Sequence, residues 1–153
     1  MKIKRVFAMP SHETFRIKPI HKFIRRTLGL SFVDPFPYPY QMDALKFMER
    51  YDDNSVKGIV LDPPYSGRQL IEMYKEAGGF SITGNPAYWA KVKDRAGEIV
   101  APNGLIITCG WNSNGLGSKR GFTREKLLIV AHGAQRNDTL VLLERKNNAL
   151  DKY

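Results

Sequence analysis

The stretch Val56-Lys57-Gly58-Ile59-Val60-Leu61-Asp62-Pro63-Pro64-Tyr65 decides how the chain is read. Its apolar half has the continuous character of a strand buried in a parallel sheet. Two consecutive prolines then remove two backbone donors and fix two φ angles, and they push Asp62 out of the helical region. The strand therefore ends by presenting a carboxylate, two rigid rings and a phenol, all held nearly still.

Working outward, "IKPIHKFIRRTLGL" (17–30) places Ile20, Phe23, Ile24 and Leu28 at helical spacing. Pro19 suits the first turn of that helix and Gly29 its stop. "LSFVD" (30–34) reads as a short strand closed by Pro35, and "MDALKFMERYDD" (42–53) as an amphipathic helix with Ala44, Leu45 and Met48 inward. Past the prolines, "GRQLIEMYKEAGG" (67–79) reads as a helix ended by paired glycines. "PAYWAKVKDRAGEIV" (86–100) reads as another helix, "APNG" (101–104) as a turn and "LIITCGW" (105–111) as a strand. A loop, "NSNGLGSKRG" (112–121), leads to "EKLLIVAHG" and "DTLVLLERK", which bracket the turn "AQRN" as a hairpin.

Strands alternating with helices, then a closing hairpin, specify an α/β sandwich with a mainly parallel sheet. Residues 1–14 read as an N-terminal arm, 15–146 as the domain and 147–153 as a tail. In such sheets ligands bind outside the carboxyl ends of the strands. Asp34, Asp62 and Trp111 all follow strand ends, so they are expected to line one crevice.

Composition narrows the partner. In 153 residues, 24 Lys and Arg face 15 Asp and Glu, a formal charge of +9 that favours an anionic partner such as nucleic acid. An apolar fraction of 42% with 11% aromatics excludes a disordered chain. The single cysteine, Cys109, cannot form an intrachain disulfide and fits a reducing compartment. Nothing near it in sequence supplies a base, so it reads as a small core hydrophobe. No window is long and apolar enough to span a bilayer, and the first residues lack a secretory core. The expectation is a cytoplasmic protein with no membrane partner. His12, His21 and His132 share no metal-ligand spacing, so no metal is expected.

"IVLDPPYS" resembles the catalytic motif of the amino-directed, S-adenosylmethionine-dependent DNA methyltransferases, and its aspartate form is most similar to the adenine-N6 branch. The preceding "MDALKFMERYDDNSVKG" looks like that family's usual lead-in. "RIKPIHKFI" resembles the helix start of its motif X, "SFVDPF" the opening of its motif I, and "APNGLIITCGW" the turn and strand after its catalytic segment. "FTREKLLIVAHGAQRNDTLVLLERK" looks like the terminal hairpin of small methylases from phages and mobile elements. The resemblance covers about residues 15–146. It implies a Rossmann-like methyltransferase sandwich, truncated relative to the full family fold. Two departures accompany it. "DPFPYPYQMDAL" carries prolines and tyrosines where the family has a glycine loop, and the second strand of the cofactor half is missing.

The resemblance assigns Asp62, Pro63, Pro64 and Tyr65 to catalysis, and Lys18, Pro19, Asp34, Phe36, Asp43 and Ala44 to S-adenosylmethionine. Ser66, Arg68, Trp111, Asn112, Lys119 and Arg120 are the candidate nucleic-acid contacts. Implied partners are DNA, with RNA as the alternative acceptor, and a homodimer mate or partner subunit. The expected activity is methyl transfer to the N6 amine of adenine in DNA. The alternative is a catalytically impaired relative that binds nucleic acid or partners a complete methyltransferase. Plainer readings stand beside each residue. Asp62 or Ser66 would cap the following helix, Asp43 would be an N-cap, Phe36 a core aromatic, Lys18 a solvated lysine, and the basic loop a solvated surface.

Overall fold

The computed structural model describes residues 1–36, 42–64, 86–133 and 136–148. The chain adopts the Rossmann-like α/β class expected from its sequence, built on one five-stranded sheet. Its strands are β1 (Lys2–Phe7), β2 (Val56–Leu61), β3 (Val100–Gly110), β4 (Phe122–Ala131) and β5 (Thr139–Lys146). They lie in the order β1-β4-β5-β3-β2. β1 pairs parallel with β4 and β2 parallel with β3, while β5 runs antiparallel to both β3 and β4. Four strands therefore point one way and β5 points back. Val33 adds an isolated parallel bridge to Ile59 on the free side of β2. Its N–H donates to the Gly58 carbonyl, and the Val60 N–H donates to its own carbonyl, both at 2.9 Å.

The helices follow from spacing and caps. α1 (Lys18–Leu28) has proline in its first turn and stops at Gly29, whose φ of 71° is left-handed territory open to glycine. α2 (Ala44–Met48) is shorter than the sequence pattern, only five residues, and is capped by Asp43. α3 (Pro86–Ile99) runs straight into β3. Lys146 Nζ closes that joint by donating to the carbonyls of Gly97 and Val100 at 2.7 and 2.6 Å, a cation placed at a helix C-terminus.

Alternation along the central strands sends side chains into two cores. Ile59, Leu61 and Ile106 pack with Met48 of α2 and with Val92, Ala96 and Ile99 of α3. Val60, Ile107 and Cys109 pack on the other face with Ile17, Ile20 and Ile24. Each fully buried isoleucine stabilises the fold by about 1.5–3 kcal/mol, so these runs outweigh the polar turns that join them.

Three local expectations change. The arm contains β1, an edge strand hydrogen-bonded along β4 from Lys2↔Lys126 to Phe7↔Ala131. "LSFVD" is reduced to the Val33 bridge. "APNG" sits inside β3, between Val100, which pairs with Val56, and Leu105, which pairs with Gly58. The extra residues bulge out and Asn103 takes a φ of 63°. The helix expected over 67–79 lies outside the described residues.

Candidate active site at the carboxyl ends of the strands

Asp62 follows the last residue of β2, and Asp34 follows the Val33 bridge on the neighbouring segment. The two strand ends are held in register by the Val33 hydrogen bonds, so the two carboxylates are set at the same end of the sheet. Asp34 Oδ1 accepts from the Phe36 N–H at 2.8 Å. Burial pushes the Asp34 carboxyl up to about 7; that hydrogen bond works against the rise and the charge on Asp62 adds to it. Asp62, Pro63 and Pro64 are half-buried at that end of the sheet.

Cys109, near the end of β3, completes the same end. Its thiol is pushed well up, first by burial and then by the charges on Asp62 and Asp34. Cys109 and Val60 share a cluster with Ile17 and Ile20, so the acidic strand ends lie on the α1 face, near the start of that helix. A thiol held neutral in this setting is a wall of the site and not a nucleophile.

The remaining expected cofactor residues are placed individually. Phe36 is buried against Trp89, with ring centroids 6.0 Å apart. Asp43 is the N-cap of α2: Oδ1 accepts from Leu45 and Lys46 N–H groups at 2.9 and 3.1 Å, and Oδ2 accepts from the Tyr88 hydroxyl at 2.7 Å. Both oxygens of Asp43 are thus engaged by the protein, and Ala44 beside it is fully buried. Lys18 and Pro19 open α1 and line a groove between that helix and β1, β4 and β5.

Trp111, directly after β3, is 46% exposed. It lines a pocket of about 450 Å³ with Pro10, His12, Ile17, His132, Arg136 and Asn137. The pocket stands at the ends of β3 and β4, on the crevice side of the sheet. His132 is buried there, with Nδ1 2.8 Å from the Ala8 carbonyl and Nε2 2.8 Å from Thr139 Oγ1. A carbonyl can only accept, so Nδ1 carries a proton. His132 and Arg136 had only a weak signal in the sequence, a hairpin turn facing an undetermined way. Asn112 spends its side-chain oxygen on the Asn114 N–H at 3.0 Å.

Lys119 and Arg120 are not brought to this end. The loop after Trp111 crosses back so that Phe122 can begin β4 opposite Lys146, at the amino ends of the parallel strands. By strand rise, that is roughly 25 Å from Trp111. Arg120 Nε donates to Asp94 of α3 at 2.7 Å, and Lys119 is exposed. Tyr65, Ser66 and Arg68 lie outside the described residues. Among the described residues no group of three or more His, Cys, Asp or Glu could hold a metal ion, and no helix is long and apolar enough to cross a membrane.

No protein-family model and no curated protein matches the chain. Among solved structures it is similar to a putative DNA modification methylase from Thermus thermophilus, at 19% identity and a TM-score of 0.48. That match covers 70% of this chain and 53% of the other, so the chain spans about half of that protein's length. It is also similar to the N-methyltransferase NodS of Bradyrhizobium japonicum, at 13% identity and a TM-score of 0.47, covering 94% and 73%. A third similar structure is a Burkholderia thailandensis 1,6-didemethyltoxoflavin-N1-methyltransferase, at 10% and 0.48, covering 96% and 72%.

Proposed function

We propose that this chain transfers a methyl group from S-adenosylmethionine to the N6 amine of adenine in DNA. The observation that carries the reading is the pair of strand-end carboxylates, Asp34 and Asp62, with a double proline fixed behind the second. Two neighbouring carboxylates in a half-buried site oppose each other's charge. A ligand bearing a sulfonium and an ammonium relieves that opposition, so the donor set fits this cofactor. When bound, S-adenosylmethionine supplies an electrophilic methyl group.

The chain's own residues do the rest. An adenine amino nitrogen is a poor nucleophile because its lone pair is delocalised into the ring. Asp62 accepts one amino hydrogen, and the carbonyl following in the proline turn accepts the other, which localises the lone pair toward the methyl donor. With S-adenosylmethionine bound, the methyl would pass from its sulfur to the amine nitrogen, and Asp62 would carry the surplus amine proton toward solvent. Pro63 and Pro64 hold both acceptors in place before the reaction, so little reorganisation is needed at the transition state. Asp34 holds the ammonium end beside the opening of α1, and Tyr65 stacks on the rotated-out base.

One observation favours the second reading, a relative that binds nucleic acid without catalysis. Asp43 is fully engaged as a cap and by Tyr88, which leaves it no free oxygen for a cofactor. A single assay separates the readings. The protein is incubated with labelled S-adenosylmethionine and a mixture of DNA and RNA, and the modified nucleoside is identified. Label in N6-methyldeoxyadenosine is the expected result. Label elsewhere changes the acceptor, and no label with no calorimetric binding of S-adenosylmethionine leaves the binding module.

A further inference from the structure

On the α1 face a groove of about 610 Å³ runs between the helix and the β1–β4–β5 part of the sheet. Its lining is strongly one-signed. Lys18, Lys22 and Arg26 come from α1, Lys4 from β1, Lys126 from β4 and Arg145 from β5, against one carboxylate, Glu125. Glu125 is taken up by Arg145. Lys4, Lys18, Lys22, Arg26 and Lys126 are exposed, and none forms an ion pair among the described residues. By contrast Arg16, Arg95 and Arg120 are each matched to an acid. Among the described residues, then, five cations with no acid partner face one another across the shared space of the groove.

The spacing has a direction. Lys18, Lys22 and Arg26 recur every four residues, about 6 Å apart along the helix axis. The start of α1 lies near Cys109 and the acidic strand ends, while Leu28 at its other end packs over Gly58. The row of cations thus leads away from the candidate site toward the amino ends of the strands. Its floor is apolar, with Phe23, Leu128 and Leu143 half-buried or buried beneath the charged rim.

We infer that this groove is a track for the sugar-phosphate backbone of a nucleic-acid strand, one end of which enters the carboxyl-end crevice. A linear polyanion with repeating charge is the occupant that matches a row of repeating, unmatched cations over an apolar floor. The inference rests on nucleic acid being the acceptor, but it concerns binding and can be measured without the cofactor.

The test uses the full chain and a labelled oligonucleotide, single-stranded in one arm and duplex in another, titrated at several salt concentrations without S-adenosylmethionine. The double variant Lys22→Glu with Arg26→Glu alters exposed positions on α1. It is expected to weaken binding of the bound probe at least ~10-fold and to flatten the salt dependence by about two counterions' worth of slope. Arg50→Glu with Lys91→Glu, both exposed, makes the same change of net charge outside the groove and is expected to cost under ~3-fold. Equal losses in the two variants would make the effect one of net charge and overturn the track. So would unchanged binding in the groove variant, or retention of anionic phosphatidylserine vesicles with no oligonucleotide binding. Circular dichroism confirms that both variants fold. Methyl transfer is scored separately, so a chain that binds through the groove yet transfers nothing refutes the enzyme and keeps the track.

Discussion

The carboxylate of Glu144 accepts from the Leu116 N–H at 2.6 Å, from inside β5 and with no exposed surface. Its other oxygen accepts from the Gly117 N–H at 2.9 Å, and Arg124 stands 3.9 Å away. One buried acid therefore pins the loop that leaves Trp111 and recrosses the sheet. Removing it leaves the buried Leu116 donor and the half-buried Gly117 donor without an acceptor, the buried one costing about 1–3 kcal/mol. Glu144→Ala is expected to lower Tm by roughly 10 °C or more, read by thermal denaturation. Glu144→Gln keeps an acceptor oxygen and should lose less than half as much.

Gly115 tests the same contact from the loop side. A Cβ built there would come within 2.2 Å of Glu144 Oε2 and 2.6 Å of Leu142 Cδ2. Gly115→Ala must therefore displace a buried carboxylate, at a cost of about 1–3 kcal/mol by overpacking. Gly117→Ala meets no atom within 4 Å and differs only through its φ of 77°. The denaturant midpoint should fall further for Gly115→Ala; the reverse order would mean the loop is not held by Glu144.

Asp62→Ala separates chemistry from folding. Asp62 is half-buried at a strand end, so its truncation should shift Tm by only a few degrees. Methyl transfer should fall about 100-fold or more, as when a pre-organised transition-state partner is removed. A variant that methylates as fast as the parent would refute the role given to this carboxylate.

Asp34 supplies the pH dependence. Its carboxyl is raised from 3.8 to about 7 by burial, with Asp62 adding to the rise. A raised carboxyl favours the fold when protonated, so this contribution is present below about pH 4 and is lost as pH climbs through 7. Asp34→Asn removes the ionisation. It should match the parent near pH 4 and exceed it in Tm by a few degrees at pH 8. Cofactor affinity should run the opposite way in the parent, rising up to tenfold per pH unit until about 7 as the anion forms. In Asp34→Asn that rise should vanish, by calorimetric titration at pH 6, 7 and 8.

Much of this architecture was legible because it is local. The apolar run of β2 with its prolines, the 3.6-residue spacing of α1 and the β4–β5 hairpin each declare themselves within one short, contiguous stretch of sequence. β1 did not, because its pairing with β4 spans most of the chain and its exposed side chains give no buried face to read. Glu144 was hidden by the pattern "LLER", in which a charged residue normally ends a strand outward. Lys119 and Arg120 looked contiguous with Trp111, but a loop that must reach the start of a parallel-running strand carries them to the opposite end of the sheet. Asp34 and Asp62 converged as expected because strand ends in a parallel arrangement share one edge.

Trp111 offers the clearest separation of base contact from backbone contact. It stands in the pocket with His132 and Arg136 at the carboxyl ends of the strands, whereas the cations of the α1 groove lie along the helix. Stacking of a base on an indole is worth about 1–3 kcal/mol and is insensitive to salt, while phosphate contacts weaken as salt rises. Trp111→Ala should therefore weaken oligonucleotide binding about 5- to 100-fold with the salt slope unchanged. An abasic site at the target position should cost the Trp111→Ala variant less than the parent, by about the factor the indole contributes, since that stacking partner is already gone while Tyr65 is kept. If the two losses add in full, the indole and the target base do not meet, and the pocket around Trp111 serves something other than the acceptor base.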